Sequence, residues 1–463
     1  MTTLSVDDPF TGEPACTVEL ADTAAVDRVL DRARKATQAA RALSVSDRGA
    51  LCERAVVAME SRANDIAADI TRMMGKPLAQ AQGEVKGMAA RARHMISVAP
   101  AALADIVDPD GAKPGFERRI VKEPLGVVFA LPAWSYPLLT AVNALFPAVL
   151  AANAVVLKHS PRSPLCGEHF AQAFRDADAP EALVQALDCD HPTSERIVGD
   201  ARVDHVVFTG SVFGGHRIQV AASKRFVSVG LELGGNDPAY VAADCDLDKT
   251  VENVVDGACY NAGQSCCGVE RVYVHRSLYA RFVEAAEPLV RAYVMGDPTK
   301  STTTLGPIAQ PQHPAELEAL VADAARLGAR LVAGGKRASV GGKGRFFEAT
   351  LLADVPQAAR LMQSESFGPI VAVHPVDSDD EALAKMNDSR LGLTASIWTK
   401  DRERAARLAA RLECGTVFMN RCDFLDPALP WTGVKDSGRG VTLSALGFDH
   451  VTRPKAIHFR LGW

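Results

Sequence analysis

The apolar positions change period along the chain, and the changes mark out its elements. Residues 1–20 read as extended, with a turn at Pro9, Thr11 and Gly12. From Asp22 to Arg93 the apolar spacing is helical, through Ala-rich segments such as Ala24–Leu43 and Arg48–Arg62. Asp22 or Thr23, and Ser46, are placed to cap these helices, since a short polar side chain can accept from the free N–H groups of a first turn. The Asp/Gly/Pro-rich stretch Asp108–Pro114 predicts a loop ahead of a strand at Phe116–Lys122.

The next segment, Leu125–Leu157, contains no charged residue and is long enough to span a bilayer. Pro132, Pro137 and Pro147 break it, and Trp134, Ser135, Asn143 and Asn153 dilute it, so it reads as soluble. The expected order is strand Leu125–Leu131, loop Pro132–Pro137, helix Leu138–Ala152 and strand Ala154–Lys158, a β-α-β unit of the nucleotide-binding type. A further strand, Asp204–Phe208, ends in Thr209-Gly210-Ser211 with Gly214 and Gly215 behind it, a junction suited to a pyrophosphate at a helix N-terminus. Leu247–Tyr260 is helical. Strand-like and helical stretches then alternate (Val272–His275, Leu278–Arg291, Pro314–Leu327, Ile370–His374, Asp379–Met386, Arg402–Leu412), as in a second α/β domain, and Val451–Arg460 reads as a strand.

Composition narrows the function. The chain of 463 residues has an ample buried core, with 48% hydrophobic and 23% charged residues. A net charge of −5 gives no reason to expect a nucleic-acid partner. The ten cysteines form no C-x-x-C pair and no Cys/His ladder, which argues against a zinc site and against a disulfide scaffold. With no basic-then-apolar leader at the N-terminus, a reducing, cytoplasmic setting is expected.

Two short motifs carry the chemistry. Asn261-Ala262-Gly263-Gln264-Ser265-Cys266-Cys267 is a small-residue turn that delivers a thiol, with backbone N–H groups able to receive a developing oxyanion. Upstream, Leu231-Glu232-Leu233-Gly234-Gly235-Asn236 presents a carboxylate between apolar flanks, which raises its pKa and makes a base usable near neutral pH. In this order and 34 residues apart, the two resemble the motifs of the aldehyde dehydrogenase superfamily.

The resemblance covers essentially the whole chain. It implies Cys266 as nucleophile, Glu232 as the base that activates water on a thioester, and Ser135 in the oxyanion position of a Trp134-Ser135-Tyr136-Pro137 loop. A base at 232 favours hydrolysis over acyl transfer to coenzyme A. For an NAD or NADP cofactor it implies Lys158 and Ser160 at the adenosine ribose, Gly210 and Ser211 at the pyrophosphate, Glu365 and Phe367 at the nicotinamide ribose, and contacts from Leu233 and Trp134. For the aldehyde it implies Tyr136, Thr140, Asn143, Ser265, Cys267, Leu425 and Trp431.

The sequence also departs from the family. Ser135 replaces the usual Asn, Thr432 replaces a Gly, and Pro161 stands where many NAD-preferring members carry Glu. A competing reading is a catalytically weak, nucleotide-binding relative, for which Ser135 and Thr432 speak; a third is a cofactor-free thioesterase-like hydrolase. Arg421 offers a cation for an acidic aldehyde, whereas Tyr260 occupies a position where semialdehyde-oxidising relatives often place an arginine. The implied fold is α/β: a Rossmann-like dinucleotide-binding domain from 1–105 and 125–234, a catalytic domain over 235–436, and a small β oligomerisation element from 106–124 and 452–463. A homodimer or homotetramer is expected, without metal or membrane.

Overall fold

The uncharged run Leu125–Leu157 folds as the centre of a parallel sheet. In the computed structural model, which describes residues 2–462, Val127–Leu131 and Ala154–Leu157 are buried strands joined by helix Pro137–Leu150. Burial on both faces is why their sequence is continuously apolar instead of alternating. Among the described residues no helix is long and apolar enough to cross a membrane.

This sheet has six strands, in the order Gly438–Arg439, Ser228–Glu232, His205–Thr209, Val127–Leu131, Ala154–Leu157 and Val184–Ala186. All pair in parallel except the edge strand Gly438–Arg439. A second sheet has seven strands, in the order Arg330–Ala333, Thr350–Ala353, Ile370–Val376, Val269–His275, Asp237–Val241, Thr394–Trp398 and Thr416–Met419. Only its first strand is antiparallel to its neighbour. A third, smaller sheet pairs Thr452–Arg460 with Phe116–Pro124 and the latter with Ile106–Val107. The fold is therefore α/β, as expected.

Four helices precede the first sheet: Thr23–Ala42, Val45–Ser61, Ala63–Met74 and Leu78–Ala102. Asp22 caps the first, accepting from the Ala25 N–H at 2.7 Å. The second is capped by Ser44 and not by Ser46: Ser44 and Asp47 form a reciprocal capping box, which starts the helix at Val45 and leaves Ser46 inside it. The fourth continues past Arg93 to Ala102 because its buried face persists through Met95 and Ala99.

Each large sheet carries its own apolar core. Cys267 and Trp431, whose segments flank the second sheet, pack into the core of the first. The two layers of chain thus meet around the cysteine motif.

Candidate active site

The strands Val127–Leu131, Ala154–Leu157, His205–Thr209 and Ser228–Glu232 run parallel, so their carboxyl ends open on one side. Open α/β sheets bind ligands there. Those ends deliver Ser135, Lys158, Ser211 and Glu232 to one cavity of about 1200 Å³. Opposite them, helix Leu247–Cys259 and the turn Tyr260–Gly263 deliver Cys266. Apart from Arg421, every residue named above for catalysis, cofactor or aldehyde lines this cavity.

The turn before Cys266 is left-handed at three successive residues, Asn261 (φ 53°), Ala262 (φ 55°) and Gly263 (φ 70°). A Cβ on Gly263 would overlap the Gly368 carbonyl, so only glycine allows this approach of two backbones. At Asn261 and Ala262 the conformation costs free energy, which the surrounding bonds offset. Asn261 Nδ2 donates to the carbonyls of Gln264 at 2.9 Å and Ser135 at 3.2 Å. Gln264 Nε2 returns to the Asn261 carbonyl at 3.1 Å, and its Oε1 accepts from the Ala309 N–H at 2.8 Å.

The two adjacent thiols differ in surroundings. Cys266 is half-buried and faces the cavity. Cys267 is buried, and its Sγ donates to Asp423 Oδ1 at 3.1 Å, an oxygen that also accepts from Ser265 Oγ at 2.9 Å. The Cys266 thiol beside it, burial and Asp423 together push the Cys267 thiol well above its ordinary value. Burial pushes Asp423 up to about 6, against the two bonds it accepts.

Glu232 ends its strand with its side chain buried. Thr209 Oγ1 donates to one carboxylate oxygen at 3.0 Å and Thr442 Oγ1 donates to the other. Burial raises its pKa; the two threonines, Arg91 and Asn143 partly offset that rise.

Ser135 is held through its backbone. Its carbonyl accepts from Lys76 Nζ at 2.8 Å and from Asn261, which ties the loop to the cysteine turn. Neither the Ser135 hydroxyl nor the Cys266 backbone N–H has a protein partner among the described residues. Lys76 is itself bonded to Glu84, and both side chains are fully buried. Glu84 Oε1 in turn accepts from the Leu138 N–H at 2.8 Å, at the start of helix Pro137–Leu150.

The far end of the cavity suits a dinucleotide. Ser211 caps helix Val212–Ala222, accepting from the Gly214 N–H at 3.1 Å, and the helix start opens onto the cavity. Side chains at Gly210 or Gly234 would strike the Phe208 ring or the Glu365 carboxylate, so bare backbone faces the space. Lys158 is buried with its ammonium lowered by burial, while Cys189, Asp188 and Asp190 oppose the shift. Burial, Glu270 and Cys266 hold the Glu365 carboxyl well above the usual range. Trp134 stands edge-on to Phe367, ring centroids 5.5 Å apart. Among the expected aldehyde contacts, Thr140 turns its hydroxyl to the Tyr136 carbonyl at 3.0 Å, and Leu425 and Trp431 pack on the core around Cys267.

Several site residues were not found from the sequence: Lys76, Glu84, Arg91 and Thr442; Thr209, read there as part of the pyrophosphate junction, instead bonds Glu232. The first three lie in a helical stretch of ordinary charged composition, where charge reads as solvated surface. Arg421 is a correction: it stacks on the Phe424 ring, 3.4 Å from its centroid, and does not line the cavity. Thr432 Oγ1 donates to the Gly440 carbonyl at 2.7 Å.

A sequence profile of the aldehyde dehydrogenase family matches residues 1–457. An aldehyde dehydrogenase of Paenarthrobacter nicotinovorans is 34% identical over 455 residues, covering 97% of this chain and 98% of that protein. A succinate-semialdehyde dehydrogenase [NADP(+)] of Deinococcus radiodurans is 34% identical over 450 residues, covering 97% and 93%. The structure of an NAD-dependent aldehyde dehydrogenase from Sinorhizobium meliloti superposes with a TM-score of 0.96 at 29% identity, covering 100% of this chain and 92% of that one. The catalytically weak alternative is not favoured. This chain belongs to the aldehyde dehydrogenase family and is an oxidoreductase acting on aldehydes.

Proposed function

We propose that the enzyme oxidises an aldehyde to the carboxylic acid through a thiohemiacetal and a thioester on Cys266, with Glu232 as the hydrolytic base. The observation that carries this reading is the contrast between the two thiols that line the cavity: Cys267 is buried and donates to Asp423, whereas Cys266 is half-buried. The Cys266 sulfur adds to the carbonyl carbon, and the new oxyanion meets the Cys266 N–H and the Ser135 hydroxyl. NAD or NADP supplies the hydride acceptor for the oxidation when bound. Lys158 and Ser160 would hold its adenosine ribose, Gly210 and Ser211 its pyrophosphate, and Glu365 and Phe367 its nicotinamide ribose, beside Leu233 and Trp134. Glu232 then takes a proton from water as the water oxygen adds to the thioester carbon. The C–S bond breaks, and the acid leaves as Cys266 is regenerated.

The six-stranded sheet with the amino-terminal helices forms the dinucleotide-binding part in this reading, and the seven-stranded sheet the catalytic part. The small sheet pairs subunits in a homodimer or homotetramer. The free thiols of all ten cysteines suit a reducing compartment such as the cytoplasm. The test is absorbance of reduced cofactor with a panel of aldehydes. Cys266→Ala should abolish it, and Cys267→Ala should keep more than a tenth of it; activity surviving in Cys266→Ala rejects the mechanism.

A further inference from the structure

The first strand of the chain links two distant parts of the site through one carboxylate. Strand Thr3–Asp7 pairs with Pro14–Glu19, and Leu4, Ser5 and Val6 lie on the cavity wall. Val6 packs into the core of the six-stranded sheet, while Phe10 stands edge-on to Phe346 on strand Lys343–Phe347. Asp7 lies between these two in the chain. One of its carboxylate oxygens accepts from Arg162 Nη1 and the other from Arg345 Nη1. Its carbonyl also accepts from Arg162 Nη2 at 2.6 Å.

Each arginine leads to a different segment. Arg162 is 7% exposed, lines the cavity and stands two residues after Ser160. It sits in a turn closed by the Ser163 N–H on the Ser160 carbonyl at 2.9 Å, just past Lys158. Arg345 instead holds the backbone beside the cysteine turn. Its Nε donates to the Ile308 carbonyl at 2.8 Å and its Nη2 to the Ala309 carbonyl. The Ala309 N–H donates to Gln264 Oε1, and Gln264 Nε2 closes the left-handed turn before Cys266. A continuous series of bonds thus runs from the loop at Ser160 through Arg162, Asp7, Arg345 and Ala309 to Gln264.

The carboxylate is what lets two cations share this space. Burial opposes its ionisation, yet Arg345 and Arg162 hold the Asp7 carboxyl down at about 2, so it is charged at any working pH. Burial depresses the Arg162 guanidinium, Asp7 opposes that, and Arg345 adds to it, so the two guanidiniums feel each other. Without the anion they would repel across a largely buried gap, where water screens poorly.

We propose that Asp7 is a positioning residue for both ends of the reaction: through Arg162 it sets the loop that receives the adenosine ribose, and through Arg345 the turn that presents Cys266. The assignment rests on the reading of Lys158 and Ser160 as the ribose seat and of Cys266 as the nucleophile. Asp7 itself bonds to neither.

Two measurements made without aldehyde read the two ends. Calorimetric Kd for NAD and for NADP reads the ribose loop, and the rate of Cys266 alkylation by iodoacetamide, followed by mass spectrometry, reads the turn. Asp7→Asn keeps the shape and removes the charge. It should weaken the better-bound cofactor and slow alkylation, each by about tenfold, the scale of one charge-assisted hydrogen bond. Arg162→Met should weaken the cofactor and leave alkylation nearly unchanged, and Arg345→Met should do the reverse. Asp7→Glu, which keeps the charge, should restore part of both. Parental values of both readouts in Asp7→Asn overturn the proposal, whatever its melting temperature, because the bridge would then serve stability alone. Arginine variants that each move both readouts alike also overturn it, and this split decides the matter should Asp7→Asn fail to fold. A parent that binds neither cofactor, or whose Cys266 stays unlabelled, instead rejects the reading of the site on which the assignment rests.

Discussion

At Glu232 burial and hydrogen bonding oppose each other, and burial prevails. Burial penalises the charged carboxylate, so its proton stays on to a higher pH than in an exposed glutamate. Only the ionised form can accept a proton from water. Turnover should therefore rise with pH through a midpoint above the ordinary glutamate range. Glu232→Gln should lower kcat by about 10²–10⁴-fold, the usual worth of a general base, remove that rise, and keep a burst of reduced cofactor. Stopped-flow absorbance across pH measures all three, and a pH rise that survives in the variant discards Glu232 as the base. The same shift has a sign for stability. The folded state holds the proton more tightly than the unfolded one, so this stabilisation is present at low pH and lost as pH rises through the raised value.

Among the elements, helix Leu78–Ala102 borders the pocket, with one buried charge, Glu84, near its start and another, Lys76, just ahead of it. Glu84 supplies the acceptor that the start of helix Pro137–Leu150 lacks from its own Tyr136, and Lys76 neutralises Glu84 while holding the Ser135 carbonyl. Removing one partner strands the other as a bare buried charge. Lys76→Met should thus cost about 3–5 kcal/mol of stability. Lys76→Met combined with Glu84→Gln should recover a substantial part, because no charge is left uncompensated. Chemical denaturation of the three proteins decides it; equal losses in the single and double variants would show that packing, not charge, is what the pair provides.

For the whole molecule, the three-stranded sheet stands apart in its exposure. Strand Thr452–Arg460 pairs along its length with Phe116–Pro124, and its other edge is open among the described residues. Phe459 and Leu461 are 53% and 64% exposed beside it. An open edge with apolar side chains is a site for a second chain. Phe459→Glu with Leu461→Glu should shift the sedimenting mass from a dimer or tetramer to a single chain of 49.2 kDa. An unchanged mass would place the subunit contact elsewhere.

The α/β class, the β-α-β unit and the cysteine and glutamate motifs were legible in the sequence because each is local. An uncharged run, a glycine turn or a carboxylate between leucines declares itself within a few residues. Helix ends were less so: Ser44 and Ser46 are alike as caps, and only the formed capping box selects one. Strands such as Asp237–Val241 and Thr394–Trp398 were passed over, since short buried strands lack alternation and owe their place to their neighbours. Which charges are buried was decided by tertiary structure alone. Lys76, Glu84 and Arg91 read as surface in a helical sequence, and Arg421 reads as a pocket cation. Folding buries the first three and stacks the fourth on Phe424, because desolvation and pairing depend on segments far apart in the chain.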